Sequence, residues 1–209
     1  MTRVMAAAAR EALAEAVAAL RRGAVIAMPT ETVYGVAVVP TEKGIGRLIA
    51  TKHRSVEKGI QLLVDSVDQV EQIAALTAGA RRLADAFWPG GLTIVLSRKG
   101  GVDLPESIGG GRPSLGIRLP DHDVPRAIAK ELGPIAASSA NISGEPPATD
   151  ATMVATYFDD ELAVILDDGP VRGGTSSTVV DCSDPAAEPV VLREGAITSD
   201  QIAAALSGT

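Results

Sequence analysis

Apolar positions along the chain fall into two kinds of run, and their spacing predicts alternating helices and strands. Over residues 6–22 alanine, leucine and valine recur at helical spacing, with glutamates early, Arg21 and Arg22 in the last turn and Gly23 as the stop. Residues 24–28 form a continuous apolar run closed by Pro29, the pattern of a buried strand. A second strand is predicted over 33–39, broken by Gly35, then a helix over 41–54 and a strand over 60–64. Ser66 with Gln69 makes a capping-box start for a helix to residue 75, and 77–87 is a further helix stopped by Trp88-Pro89-Gly90-Gly91. Beyond it, 92–96 and 115–119 read as strands separated by Gly109-Gly110-Gly111, a stretch that suits a mobile loop and a candidate lid. A helix (124–132), a strand (134–138), a helix (149–158) and three short strands (163–166, 178–180, 190–192) follow, and Thr198 caps a last helix. Helices interleave with strands, yet several strands follow one another directly. The predicted class is therefore α/β, with a mixed sheet flanked by helices rather than a strictly parallel one. No internal repeat or linker-like tract divides the 209 residues, which read as a single domain.

Composition narrows this picture. Hydrophobic residues make up 46%, enough for a full core and far above what a disordered chain carries. No run approaches the roughly 18 uninterrupted apolar residues of a membrane span, and the start lacks the order of a signal peptide. The single cysteine, Cys182, can form no internal disulfide, which makes the cytoplasm the expected compartment. With only His53 and His122 beside it, no Cys/His zinc spacing exists. A net charge of −7 and 2% aromatics argue against bulk nucleic-acid affinity and against base-stacking surfaces. The cations are nonetheless unevenly placed, gathering in the middle of the chain.

Five segments carry polar and small residues where a core would not need them. Pro29-Thr30-Glu31-Thr32-Val33-Tyr34-Gly35 follows a buried strand, where α/β sheets bind ligands, although it also fits an ordinary turn. Lys52-His53-Arg54-Ser55-Val56-Glu57-Lys58-Gly59 holds three cations suited to a polyphosphate, and fits a solvated helix end as well. No Walker A pattern occurs. Trp88-Pro89-Gly90-Gly91-Leu92-Thr93 reads chiefly as structural punctuation. In Leu115-Gly116-Ile117-Arg118-Leu119-Pro120 an arginine interrupts an apolar strand, so an anion must meet it, either a ligand or an internal carboxylate. Ala136-Ala137-Ser138-Ser139-Ala140-Asn141-Ile142-Ser143-Gly144-Glu145-Pro146 can line a phosphate or ribose site through backbone N–H groups, or simply turn the chain. No catalytic triad can be argued, and the inventory favours binding and charge stabilisation over covalent catalysis.

In order along the chain, PTETVYG, KHR with a lysine four residues beyond the arginine, FWPGGLT, GIRLP, SSANISGEPPAT, SSTVVD and VLREGAI resemble the YrdC-like threonylcarbamoyl-AMP synthase family in its short bacterial form. The motifs run from Pro29 to Ile197. The resemblance implies one YrdC-like domain across 1–209, its core at about 16–202, with a twisted mixed sheet and a concave basic cavity. It implies a nucleotidyltransferase that makes L-threonylcarbamoyladenylate and pyrophosphate from L-threonine, bicarbonate and Mg2+-bound ATP. The product would supply N6-threonylcarbamoyladenosine at position 37 of ANN-decoding tRNAs through a downstream threonylcarbamoyl-transferase complex, with at most weak RNA binding and no membrane. By motif, Lys52, Arg54 and Lys58 would serve catalysis, and Arg54, Lys58, Ser114, Ser139, Asn141, Ser143 and Arg193 would contact ATP. Thr32, Arg118, Ala137 and Ser177 would contact threonine. Leu63 stands where longer members have a threonine-side histidine, and Ser55 and Gly59 stand where proline is usual. Two rivals stay open: a non-catalytic RNA-binding or ribosome-associated module of the same fold, and a related carbamoyl-adenylate chemistry.

Overall fold

The computed structural model describes residues 1–53, 55 and 59–208. Ten strands form one mixed sheet: β1 (Arg3–Ala6), β2 (Ile26–Met28), β3 (Gly35–Val38), β4 (Gln61–Leu63), β5 (Leu92–Ser97), β6 (Ser114–Arg118), β7 (Ile135–Ser139), β8 (Val164–Asp167), β9 (Thr178–Asp181) and β10 (Val190–Arg193). Their spatial order is β1-β8-β2-β3-β7-β4-β6-β5-β9-β10. The β1·β8, β2·β8, β4·β6 and β5·β9 pairs are parallel and the remainder antiparallel. Seven α-helices stand among the described residues: α1 (Ala12–Arg21), α2 (Glu42–Thr51), α3 (Val67–Ile73), α4 (Ala78–Phe87), α5 (Asp123–Leu132), α6 (Ala151–Phe158) and α7 (Ser199–Ser207).

Most helix starts are set by side-chain caps that satisfy the first free N–H groups. Thr41, Ser66, Thr77 and Asp150 accept from the residue three positions on, and Thr198 with Gln201 completes a full capping box. At Ser66 the box is displaced by one residue, because Gln69 reaches back to the N–H of Asp65.

The two faces of the sheet are covered unequally. On one face Leu62, Leu92, Ile94, Leu96, Leu115, Ile117 and Val180 pack under α2, α3, α4, α6 and α7 in the main core. On the other, α1 and α5 cover only part of the sheet, burying Ile26, Met28, Leu63, Ile135, Val164 and Leu166. The rest of that second face, on β5, β6, β9 and β10, carries no helix among the described residues and forms the floor of a cavity.

Two expectations need correction, at the first helix and the second strand, and the triple glycine gains a structural reason. The first helix begins at Ala12, not residue 6, because Arg3–Ala6 is an edge strand whose partner β8 lies some 160 residues away. Local spacing cannot register such a partner. The triple glycine closes a short 3-10 turn (Glu106–Gly109) and a tight reversal, with Gly110 and Gly111 at φ 63° and 80°. A Cβ on Gly109 would lie 2.6 Å from the Ser114 carbonyl oxygen, so that glycine is there for close approach to β6. Strand 33–39 is shorter at its start, because Thr30 organises residues 30–33 into a hydroxyl-bonded turn.

Candidate active site

The cavity encloses about 470 Å3. Strand register arranges its floor in three rows running across the sheet. In the first row Leu63 pairs with Arg118, and Thr93 pairs with Val179, which pairs with Arg193. In the second, Gly116, Val95 and Asp181 lie side by side. In the third, Ser114 pairs with Ser97. A register irregularity between Val191 and Arg193 lets both Leu192 and Arg193 face the cavity, where a regular strand would turn neighbours to opposite sides.

Arg118 is almost fully buried, its side chain 3% exposed. Its Nε donates to the Gly90 carbonyl oxygen at 3.0 Å, and its Nη2 donates to Glu31 Oε1 at 2.7 Å and Thr32 Oγ1 at 2.8 Å. The internal carboxylate left open by the sequence is thus Glu31, and an unpaired guanidinium in this position would be strongly destabilising. Glu31 Oε2 is buried without a partner among the described residues. Three N–H groups of Arg118 are anchored by protein, which fixes the plane of the guanidinium and leaves Nη1 for the cavity.

Arg193 donates through Nη2 to the Ser177 carbonyl oxygen at 2.7 Å. Burial, and secondarily the charge of Arg118, pull its pKa below the ordinary arginine value. Two guanidiniums in one cavity repel, and an anion between them would relieve both. Ser177 Oγ meets Thr93 Oγ1 at 2.9 Å, and Thr93 in turn donates to Gln61 Oε1 at 2.9 Å, so a polar chain runs from just before β9 across β5 to β4.

The Lys52 ammonium is 1% exposed as a residue and donates to the Ser139 and Asn141 carbonyl oxygens, the latter at 2.8 Å, and to Asn141 Oδ1 at 3.2 Å. Asn141 Oδ1 also accepts from Ser139 Oγ at 2.6 Å, while its Nδ2 donates to the carbonyl oxygens of Ile142 and Glu145. Ser143 N donates to the Lys52 carbonyl oxygen. Lysine and loop therefore hold each other in one shape.

Among the residues singled out by motif, Ser114, Arg118, Ala137, Ser139, Ser177 and Arg193 line this single cavity. Thr32 reaches it through its bond to Arg118, Lys52 and Asn141 stand behind its wall, and Ser143 is exposed. Arg54 and Lys58 lie outside the described residues. Leu63 packs in the cluster beneath α1 and α5, on the same sheet face as Arg118. Thr30 bonds within its own turn, and the Tyr34 hydroxyl bonds Gly169 and the N–H of Asp168 away from the cavity. Burial pushes the Tyr34 pKa up to about 12, aided by Asp167 and Asp168.

Gln61, Ser97, Arg112 and Ser183 line the cavity without having been singled out, as do Thr93 and Asp181, which were quoted only within longer motifs and given no role. For Thr93 and Ser97 a signal existed. In Leu92-Thr93-Ile94-Val95-Leu96-Ser97 the larger apolar residues occupy one face, and the alternate face carries two hydroxyls about an apolar Val95.

Comparison with known proteins places these features in context. A model of the Sua5/YciO/YrdC family, described as telomere recombination, matches residues 18–195. Threonylcarbamoyl-AMP synthase of Bacillus subtilis is 38% identical over 93% of this chain, which spans 56% of that protein's length. A Mycobacterium tuberculosis protein named putative threonylcarbamoyl-AMP synthase is 36% identical over 93% of this chain and 88% of its own. Among solved structures, P. abyssi Sua5 complexed with L-threonine superposes with a TM-score of 0.89 at 33% identity, over 98% of this chain and 60% of the other. E. coli YciO, at 21% identity, shares the fold with a TM-score of 0.85 over 97% of this chain and all of its own.

Proposed function

The chain belongs to the Sua5/YciO/YrdC family, and we propose that within it the protein is an L-threonylcarbamoyladenylate synthase. The observation that carries this reading is 36–38% identity over 93% of the chain to proteins bearing that activity in their names. The cavity is chemically apt for it. Arg118 Nη1 would take the threonine carboxylate, and the Thr93–Ser177 hydroxyl pair would hold the amino acid beside it. Arg193 would meet the nucleotide's α-phosphate. The loop at Ser139, braced by Lys52, would receive the remaining phosphates, along with Arg54 and Lys58, and Ser114 would contact the nucleotide elsewhere.

In this mechanism the threonine amine combines with bicarbonate to give a carbamate and water. A carbamate oxygen then attacks the α-phosphorus of ATP and pyrophosphate leaves. The carbamate is anionic and charge builds on the phosphate oxygens, so fixed guanidiniums stabilise the transition state without reorganising. Holding three reactants in register supplies much of the remaining rate advantage. Magnesium would enter with the phosphates of ATP: among the described residues no three His, Cys, Asp or Glu side chains come together to hold an ion. The product would pass to a threonylcarbamoyl-transferase complex acting on tRNA, with no need for this chain to grip the RNA. No helix among the described residues is long and apolar enough to cross a membrane, and the site of action that goes with the proposed tRNA role is the cytoplasm.

Pyrophosphate release from ATP tests the reading directly. It should require threonine and bicarbonate together. Release that persists unchanged without threonine would refute it, and salt-sensitive RNA binding without ATP binding would favour the non-catalytic alternative.

A further inference from the structure

An arginine paired to a carboxylate often forms a fork, two nitrogens on two oxygens. Arg118 and Glu31 do not. Glu31 meets the guanidinium through Oε1 alone, at Nη2, and its Oε2 is buried with no partner among the described residues. Ser107 Oγ is the one other side-chain atom among those residues in that condition. Leaving a buried carboxylate oxygen unpaired is costly, so the half-formed pair has a reason beyond stability.

The remaining bonds show what the arrangement preserves. Thr30 spends its hydroxyl proton on the Val33 carbonyl oxygen, so Thr32 supplies the proton between the two hydroxyls and accepts from Arg118. With Nε on the Gly90 carbonyl oxygen, the guanidinium is fixed while Nη1 stays unspent. The charge of Glu31 nevertheless stays close. Every other arginine–carboxylate pair among the described residues lies at the surface, its side chains 32–63% exposed, where water screens it. Here the arginine side chain is 3% exposed and that of the glutamate 23%, so the field of the unpaired oxygen reaches the cavity little weakened.

A ligand carboxylate on Nη1 would stand on the order of 5 Å from the Glu31 carboxylate, the span of two charge-assisted bonds on one guanidinium. A plain carboxylate bears the whole repulsion at that distance. An α-amino acid bears little of it, because its ammonium lies beside its carboxylate and offsets it. Resting on the threonine reading above, we propose that Glu31 is a specificity-determining residue, whose charge makes the Arg118 site accept a zwitterion and reject a carboxylate alone. The same charge assists release. The carbamoylated nitrogen of the product is neutral, so the ligand tolerated on entry is repelled on exit.

The experiment measures equilibrium binding of L-threonine and of its α-hydroxy analogue, in which a hydroxyl replaces the ammonium, by calorimetry with the full chain. Wild type should favour threonine by roughly 10- to 100-fold. Glu31→Gln keeps the side-chain length and an oxygen for Arg118 Nη2 but removes the charge. It should shrink that preference about tenfold, chiefly by gaining affinity for the hydroxy acid. A merely structural Glu31 gives another pattern: both ligands lose affinity together and their ratio stands. The proposal is overturned by a folded Glu31→Gln, checked by its thermal midpoint, with an unchanged ratio. It is equally overturned by a wild type that binds the two ligands alike, a result that needs no variant to fold. Either outcome with threonine-dependent pyrophosphate release intact overturns this inference alone. A wild type that binds no threonine and releases no threonine-dependent pyrophosphate overturns the synthase reading and this one with it.

Discussion

Beneath α1 and α5 the second face of the sheet carries Ile26, Met28, Leu63, Ile135, Val164 and Leu166, none more than 1% exposed. A few strands further along, the same face carries Thr93, Ser97, Ser114, Gly116, Arg118 and Asp181. Backbone geometry is the same in both regions. Among the described residues a helix lies over one and none over the other, and side-chain choice follows: large apolar residues fill the covered region, while hydroxyls, a glycine and charges line the open one. β4 straddles the boundary, with Gln61 in the cavity and Leu63 in the covered cluster two residues later.

This contrast can be broken at its most charged point. Arg118→Ala should reduce threonine-dependent turnover about 10^3-fold and destabilise the fold by about 3–5 kcal/mol, because Glu31 is left as an uncompensated carboxylate. Adding Glu31→Ala should restore part of the stability and none of the turnover, as read by chemical denaturation beside a pyrophosphate assay. On the covered side Leu166→Ala should show the converse, costing about 2–5 kcal/mol in stability with KM for ATP and threonine unchanged.

The helix-packed main core should respond to alkali more than the open cavity. Tyr34 is held at about 12 against an ordinary 10, and the buried Cys182 thiol at about 12 against 9, in each case first by burial. Both neutral forms are favoured by folding, so their stabilisation is complete below the unfolded values and is lost as pH rises from about 9 toward 12. Denaturation curves should weaken over that window by on the order of 2 kcal/mol for Tyr34, and Tyr34→Phe should flatten the tyrosine share. The smallest effect concerns the brace behind the wall. Lys52→Met should raise the KM for ATP about tenfold by loosening the loop at Ser139, with the threonine KM unaltered.

Much of the fold was legible locally. Helices announced their starts through Thr41, Ser66, Thr77 and Thr198, whose hydroxyls cap as their positions imply. β1 was not legible, because an exposed edge strand has little apolar pattern and its partner is remote. In the site, Arg118 stood out as a charge in an apolar strand, but its partner Glu31 lies 87 residues earlier and only folding brings the two together. Thr93 was hidden at the end of a tryptophan–proline–glycine turn that has its own structural role, with Trp88 Nε1 bonded to the Leu92 carbonyl oxygen. That Gly116, Val95 and Asp181 lie side by side was beyond reach for another reason. It rests on strand register, which places them in one row across three strands and which no single segment encodes.

The row that holds the two arginines also sets a schedule. Arg118 and Arg193 stand about 75 residues apart in the chain, a gap that takes a ribosome roughly 4–15 s to translate at 5–20 residues per second. Until β9 and β10 emerge, β5 is an unsatisfied edge and the cavity lacks one side. A nascent chain therefore cannot use its ligands to stabilise itself, and substrate binding reports that synthesis of the floor is finished.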